Sequence, residues 1–151
     1  MVFGHVPSGV AALAACVDGT DQVMVASSFT AGVSMVPPLV SFAAQNSSTT
    51  WPQLRRAVRI GVSVLAAEQE VLCRRLGSKD RSRRWQGVEL VRAPNGSLLI
   101  AGAVLHLDCS VEAEHPAGDH GIVLLRIHAH GVGADTEPLL FHRSRFRSVT
   151  R

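Results

Sequence analysis

The sequence predicts a mainly β domain, either a closed barrel or a sandwich, with short helical insertions. Three observations carry that prediction. Strand-like apolar runs recur along the chain, bounded by Gly, Pro, Asn or Asp. Only two short segments space their apolar residues like helices. No repeat or linker interrupts the 151 residues, which suffice for a single domain over residues 1–151.

Val10 to Val17 is an unbroken run of small apolar residues between Gly9 and Asp18-Gly19, the pattern of a buried strand ending in a turn. Val23 to Ser27 is its hairpin partner. Little side-chain bulk follows in Ala26, Ser27 and Ser28, which open a loop. Pro37-Pro38 forces an extended entry into a strand over Leu39 to Ala44. Trp51 to Arg56 reads as a short helix, with Pro52 at an early helical position. Arg59 to Leu65 alternates, with Ile60, Val62 and Val64 on one face, so it is a strand. Glu68 to Leu76 is the second helix, with Val71, Leu72 and Leu76 at helical spacing and Gly77 as C-cap. Lys79 to Arg84 is a polar connector. Val88 to Ala93 is a strand turned by Pro94-Asn95-Gly96, and Leu98 to Glu112 reads as one long strand bent at Gly102. Ala117 to His120 is a loop, Gly121 to His130 a strand, and Pro138 to Phe141 a last short one.

Composition narrows the function classes. Hydrophobic residues make up 46% and charged residues 18%, so the chain folds. No apolar run approaches the roughly 18 residues that span a bilayer. The N-terminus has no basic stretch ahead of its apolar part and reads as a strand rather than a signal peptide. Cys16, Cys73 and Cys109 are odd in number, widely spaced and without a CxxC pair. That argues against a zinc site or a disulfide framework and for a reducing cytoplasm. His128 and His130 share a strand face, but no further ligand follows at metal spacing, so no metal is assigned. The net charge of +3 draws on Arg74, Arg75, Lys79, Arg81, Arg83 and Arg84. Apart from Trp85, no aromatic residue interleaves that run, and no recognition helix accompanies it. A solvated face, or a rim that attracts phosphate-bearing cofactors, is the better reading than nucleic-acid binding.

One stretch carries chemistry. Asn46, Ser47, Ser48, Thr49 and Thr50 come in succession just ahead of Trp51-Pro52. Hydroxyls and free backbone N–H groups converging before a helix make a site for an anion. The same residues also serve as ordinary loop and cap residues, and the cluster alone does not separate the two.

The order of motifs resembles the flavin reductase-like family, the short flavin reductases of two-component monooxygenases. Val23-Met24-Val25-Ala26-Ser27-Ser28-Phe29 stands where that family has G-M-T-x-S-S-F. Ser34-Met35-Val36-Pro37-Pro38-Leu39-Val40 is similar to S-L-D-P-P-L-V, and Asn46-Ser47-Ser48-Thr49 to its serine/threonine cluster. Phe3 to Ala15 resembles the opening F-P-T-G-V-x-V-V-T. Arg84-Trp85-Gln86-Gly87 takes the place of R-F-x-G, and Gly118-Asp119-His120-Gly121-Ile122 matches G-D-H-x-I. Pro138 to Phe146 resembles P-L-L-Y-x-x-G-x-Y. Val23 and Val36 depart from the family's Gly and Asp, at positions where a change could reshape the loop over the flavin.

The resemblance implies an FMN-binding split β-barrel and NAD(P)H-dependent reduction of FMN, or alternatively FAD, by hydride transfer to the flavin N5. Reduced flavin would pass to a partner monooxygenase. It implies a homodimer with flavin between protomers, Ala26, Ser27 and Ser28 at the ring, Ser47, Ser48 and Thr49 at the phosphate, and Ser34 as a further cofactor-binding residue. Trp51 would also bind the cofactor, and His120 would position the nicotinamide. The cofactors carry the chemistry, so no catalytic triad is needed. NADH and NADPH remain open, as does the alternative of a non-catalytic flavin-binding electron carrier. With no G-x-G-x-x-G in the chain, no Rossmann crevice is expected.

Overall fold

The structure, a computed structural model, describes residues 2–133 and 135–149. Twelve strands are seen among them: β1 (Ser8–Gly9), β2 (Ala11–Val17), β3 (Thr20–Ala26), β4 (Thr30–Met35), β5 (Pro38–Gln45), β6 (Ile60–Val64), β7 (Leu90–Arg92), β8 (Leu98–Ile100), β9 (Leu105–Ala117), β10 (His120–Val132), β11 (Leu140–His142) and β12 (Arg145–Arg147). Two short α-helices, α1 (Trp51–Leu54) and α2 (Glu70–Leu76), interrupt them.

Seven strands form one sheet in the order β3-β2-β6-β9-β10-β5-β4. Every pairing in it is antiparallel. The sheet curls until the end of β3 meets β5. There Ser28 Oγ accepts the Ala43 N–H at 2.9 Å, which ties the two sides together. Beyond that junction β4 runs on as an exposed edge strand. The result is a split β-barrel with short helical insertions.

The unbroken apolar run of β2 has a plain cause: the strand is buried on both faces. Ala11, Leu13 and Ala15 point into the barrel with Phe42, Ile60, Val62, Leu107, Val123 and Leu125. Ala12 and Ala14 point outward, under a second core of Leu65, Cys73, Leu76, Leu98, Ile100 and Leu139. Alanine at these positions lets covering elements approach closely. The same crowding explains Gly61 on β6, where a Cβ would sit 2.1 Å from the Leu98 carbonyl oxygen. Ser63 Oγ, fully buried, accepts the Ile100 N–H at 2.9 Å and satisfies the β8 backbone there.

Several expectations are corrected. The long strand predicted over Leu98 to Glu112 is two strands in different sheets, β8 and β9. Gly102, at φ +86°, does not bend one strand but turns the chain from one layer to the next. The predicted loop Ala117 to His120 is a tight hairpin, with Ala117 and His120 paired and only Gly118-Asp119 between them. The segment after Phe29 contains a strand, β4, which the small residues Ala31 and Gly32 had hidden. Val71 does not face the core. It is exposed, and Cys73 and Leu76 carry the buried face of α2. No helix among the described residues is long and apolar enough to cross a membrane.

Candidate active site

The mouth of the barrel, beside the β3–β5 junction, holds a cleft of about 480 Å³. Ala26, Ser27 and Ser28 form one edge. Ala26 ends β3, and Ser27 and Ser28 follow it. Ser47, Ser48 and Thr49 form the floor between β5 and α1, and His120 enters from the start of β10. Seven of the nine residues singled out from the sequence therefore converge. A second cavity, about 650 Å³, adjoins across Ser27 and Ser28 and is walled by Phe3, His5, Phe141 and Arg143.

Several polar residues of the cleft are held by specific contacts. Ser48 Oγ accepts the N–H groups of Thr50 and Trp51, at 3.3 and 3.1 Å, and so braces the turn that leads into α1. A hydroxyl that accepts twice still has its own proton to donate to a ligand. Ser47 Oγ donates to Gln45 Oε1 at 3.3 Å. Thr49 Oγ1 accepts from Arg81 at 2.6 Å, and Thr50 Oγ1 accepts from Arg84 at 2.8 Å. Arg84 also donates to the carbonyls of Ser78 and Val23, at 2.7 and 3.1 Å, so its charge is fixed in place. Burial, and then the neighbouring Arg81 charge, lower the pKa of that guanidinium. An arginine remains protonated under such a shift, and the charge of an anion in the cleft would oppose it.

His120 is aligned opposite Gln45 in the β10–β5 ladder, directly beside the hydroxyl floor. Its Nδ1 bonds Asp119 Oδ1 at 2.7 Å. That hydrogen bond and the His120 charge hold the Asp119 carboxyl below its usual range. Asn46 reinforces the geometry. Its backbone N–H donates to the Asp119 carbonyl at 2.9 Å, and its side chain donates to the Gly118 carbonyl at 3.1 Å.

Two assigned residues lie elsewhere. Trp51 is buried in the barrel core, edge-on to Phe42, and its Nε1 donates to Glu114 at 2.9 Å. Its bulk supports the floor of the cleft from below and does not line it. Ser34 pairs across from Leu39 on the β4 edge, outside the cleft lining. The two departures from the family pattern also lie apart from the lining. Val23 is buried in the second core, and Val36 is exposed in the β4–β5 turn. Lys79 and Arg84 line the cleft although neither was singled out individually. The basic run from Arg74 to Arg84 was their signal, read as a rim for phosphate-bearing cofactors.

The donor set suits a flavin phosphate. Four consecutive hydroxyl residues, Ser47 to Thr50, and two cationic ones line one space, next to the small residues Ala26, Ser27 and Ser28, where a flat ring can lie. The chain belongs to the flavin reductase like domain family, which it matches over residues 3–150. It is 38% identical to a flavin reductase of Pseudomonas putida over 96% of this chain and 85% of that one. It is 33% identical to HsaB, the reductase subunit of a flavin-dependent monooxygenase of Rhodococcus jostii, over 98% and 75% of the two chains. Among solved structures, an NADH:FAD oxidoreductase of Streptomyces globisporus, in complex with NAD and FAD fragments, superposes with a TM-score of 0.90. That pair shares 33% identity over 99% of this chain and 89% of the other.

Proposed function

We propose that this protein is an NAD(P)H:flavin oxidoreductase that reduces a flavin by hydride transfer from a nicotinamide and supplies it to a partner monooxygenase. The observation that carries the reading is the single cleft joining Ala26–Ser28, the Ser47–Thr49 hydroxyls with Lys79 and Arg84, and His120. Bound flavin and nicotinamide supply the redox chemistry. The chain's own residues bind and align. Ser47, Ser48 and Thr49 hold the phosphate, with Arg81 behind Thr49. Ala26, Ser27 and Ser28 leave room for the ring. His120, fixed on Asp119 through Nδ1, has Nε2 as the ring atom for the nicotinamide amide or the flavin edge.

The homodimer belongs to the same proposal. Met35 at the end of β4 and Val36 in the turn after it are 79% and 93% exposed, and Val33 on the same strand is also exposed. Such a surface is suited to burial against a second copy. A reducing compartment, the cytoplasm, fits three cysteines that form no disulfide. Steady-state NADH and NADPH oxidation, measured with and without added FMN and FAD, tests the function. Oxidation that rises with added flavin supports reductase turnover. Stoichiometric flavin binding with no nucleotide oxidation would favour an electron carrier instead.

A further inference from the structure

We propose that the protein takes FAD in preference to FMN, with the adenylate half held in a cavity behind Arg81 and Arg84. This rests on the flavin reductase reading above and names the flavin of that same site. The cavity, about 260 Å³, is walled by Thr20, Gln22, Arg81, Ser82, Arg84 and Trp85. Arg84 lines both this cavity and the main cleft. Arg81 lines this one and donates to Thr49 of the other at 2.6 Å. Two guanidinium groups therefore straddle the boundary between the spaces.

FAD differs from FMN by a second phosphate, a ribose and an adenine. Each part has a counterpart here. The pyrophosphate would cross the boundary between the two guanidiniums, where its additional charge is matched. Trp85 offers a stacking wall for a base. Its indole is half-buried, packed on the second core, and its Nε1 donates to the Asp21 carbonyl at 3.2 Å, so the ring is held still. Thr20 and Gln22 supply a hydroxyl and an amide for the ribose or the base edge.

Asp21 is the carboxylate in the wall, and it does not oppose the ligand as a free charge. Arg92 donates to both of its oxygens, and that contact holds its pKa below the ordinary carboxylate value. A monophosphate flavin would leave Trp85 and this cavity unused.

Calorimetric titration of the purified full chain with FMN and with FAD tests the inference. FAD should bind about tenfold more tightly than FMN. Ser82→Phe should fill the cavity and bring that ratio below about threefold, chiefly by weakening FAD. Arg81→Ala should lower the ratio as well, since any loss shared through Thr49 cancels between the two flavins. Equal affinities in the wild type, or a ratio that survives both substitutions, would overturn the FAD preference and leave the reductase reading standing. If neither flavin binds, both fall together.

Discussion

Ser48 has two tasks at once, and they predict separable losses. Its oxygen braces the entry to α1 by accepting two backbone N–H groups, and its proton is the donor that the proposed function assigns to a phosphate. Ser48→Ala should weaken FMN binding by about 1–2 kcal/mol and leave riboflavin, which lacks the phosphate, nearly unaffected. It should also lower stability by about 1 kcal/mol through the two lost hydrogen bonds to the backbone. Equal losses for the two flavins would place the phosphate elsewhere. His120 is the residue expected to act on the nucleotide. His120→Ala should cut kcat/KM for NAD(P)H by about tenfold to a hundredfold, roughly 1.4–2.8 kcal/mol, with flavin affinity little changed. A lower Tm with unchanged kcat/KM per folded molecule would reduce Gly118-Asp119-His120 to a hairpin turn. The cysteines give a third test. Burial pushes the Cys73 thiol up to about 11 and the Cys109 thiol up to about 12. Near pH 8 fewer than about one in a thousand of either is thiolate. Brief alkylation of the native protein should therefore mark Cys16 alone, the half-exposed one, and reach all three only after denaturation. Labelling of Cys73 or Cys109 in the native state would contradict their burial.

The elements show which signals in a sequence survive folding. β2 was legible because burial on both faces leaves an apolar run with no alternation to misread. The hydroxyl floor was legible because its residues are consecutive. Leu98 to Glu112 misled because a single glycine turned the chain between layers, and apolar content on either side looked continuous. Val71 misled because the buried side of α2 runs through Cys73 and Leu76, and of the chosen stripe Leu76 is buried, Leu72 partly so and Val71 not at all. Trp51 misled because adjacency to a binding loop says nothing about which way a ring points. Arg84 was missed as an individual because its role depends on Thr50, thirty-four residues earlier in the chain. The tight layer contact over β6 is open to test. Gly61→Ala would bring a Cβ against the Leu98 backbone, which cannot swing aside as a side chain can. A loss of about 2–3 kcal/mol in denaturant unfolding is expected. A loss under about 0.5 kcal/mol would mean that β8 packs less closely on β6.

At the scale of the molecule, one curled sheet brings three separated stretches to one mouth: the end of β3, the β5–α1 loop and the β9–β10 hairpin. Asn46 bonds the second to the third, which ties the hydroxyl loop to the hairpin that carries His120. The exposed apolar β4 edge belongs to the assembly proposed above. Sedimentation at micromolar concentration should give about twice the chain mass. A monomer that still binds flavin tightly would place the whole site within one chain. The central claim, that the cleft aligns a nicotinamide with a flavin for hydride transfer, has a direct measurement. Mixed anaerobically with the purified protein, FAD or FMN should lose its visible absorption band on addition of NADH or NADPH. One flavin should be reduced per nucleotide oxidised, at a rate proportional to enzyme. A flavin band that persists while flavin and protein remain bound would contradict the account and leave a binding protein on a reductase fold.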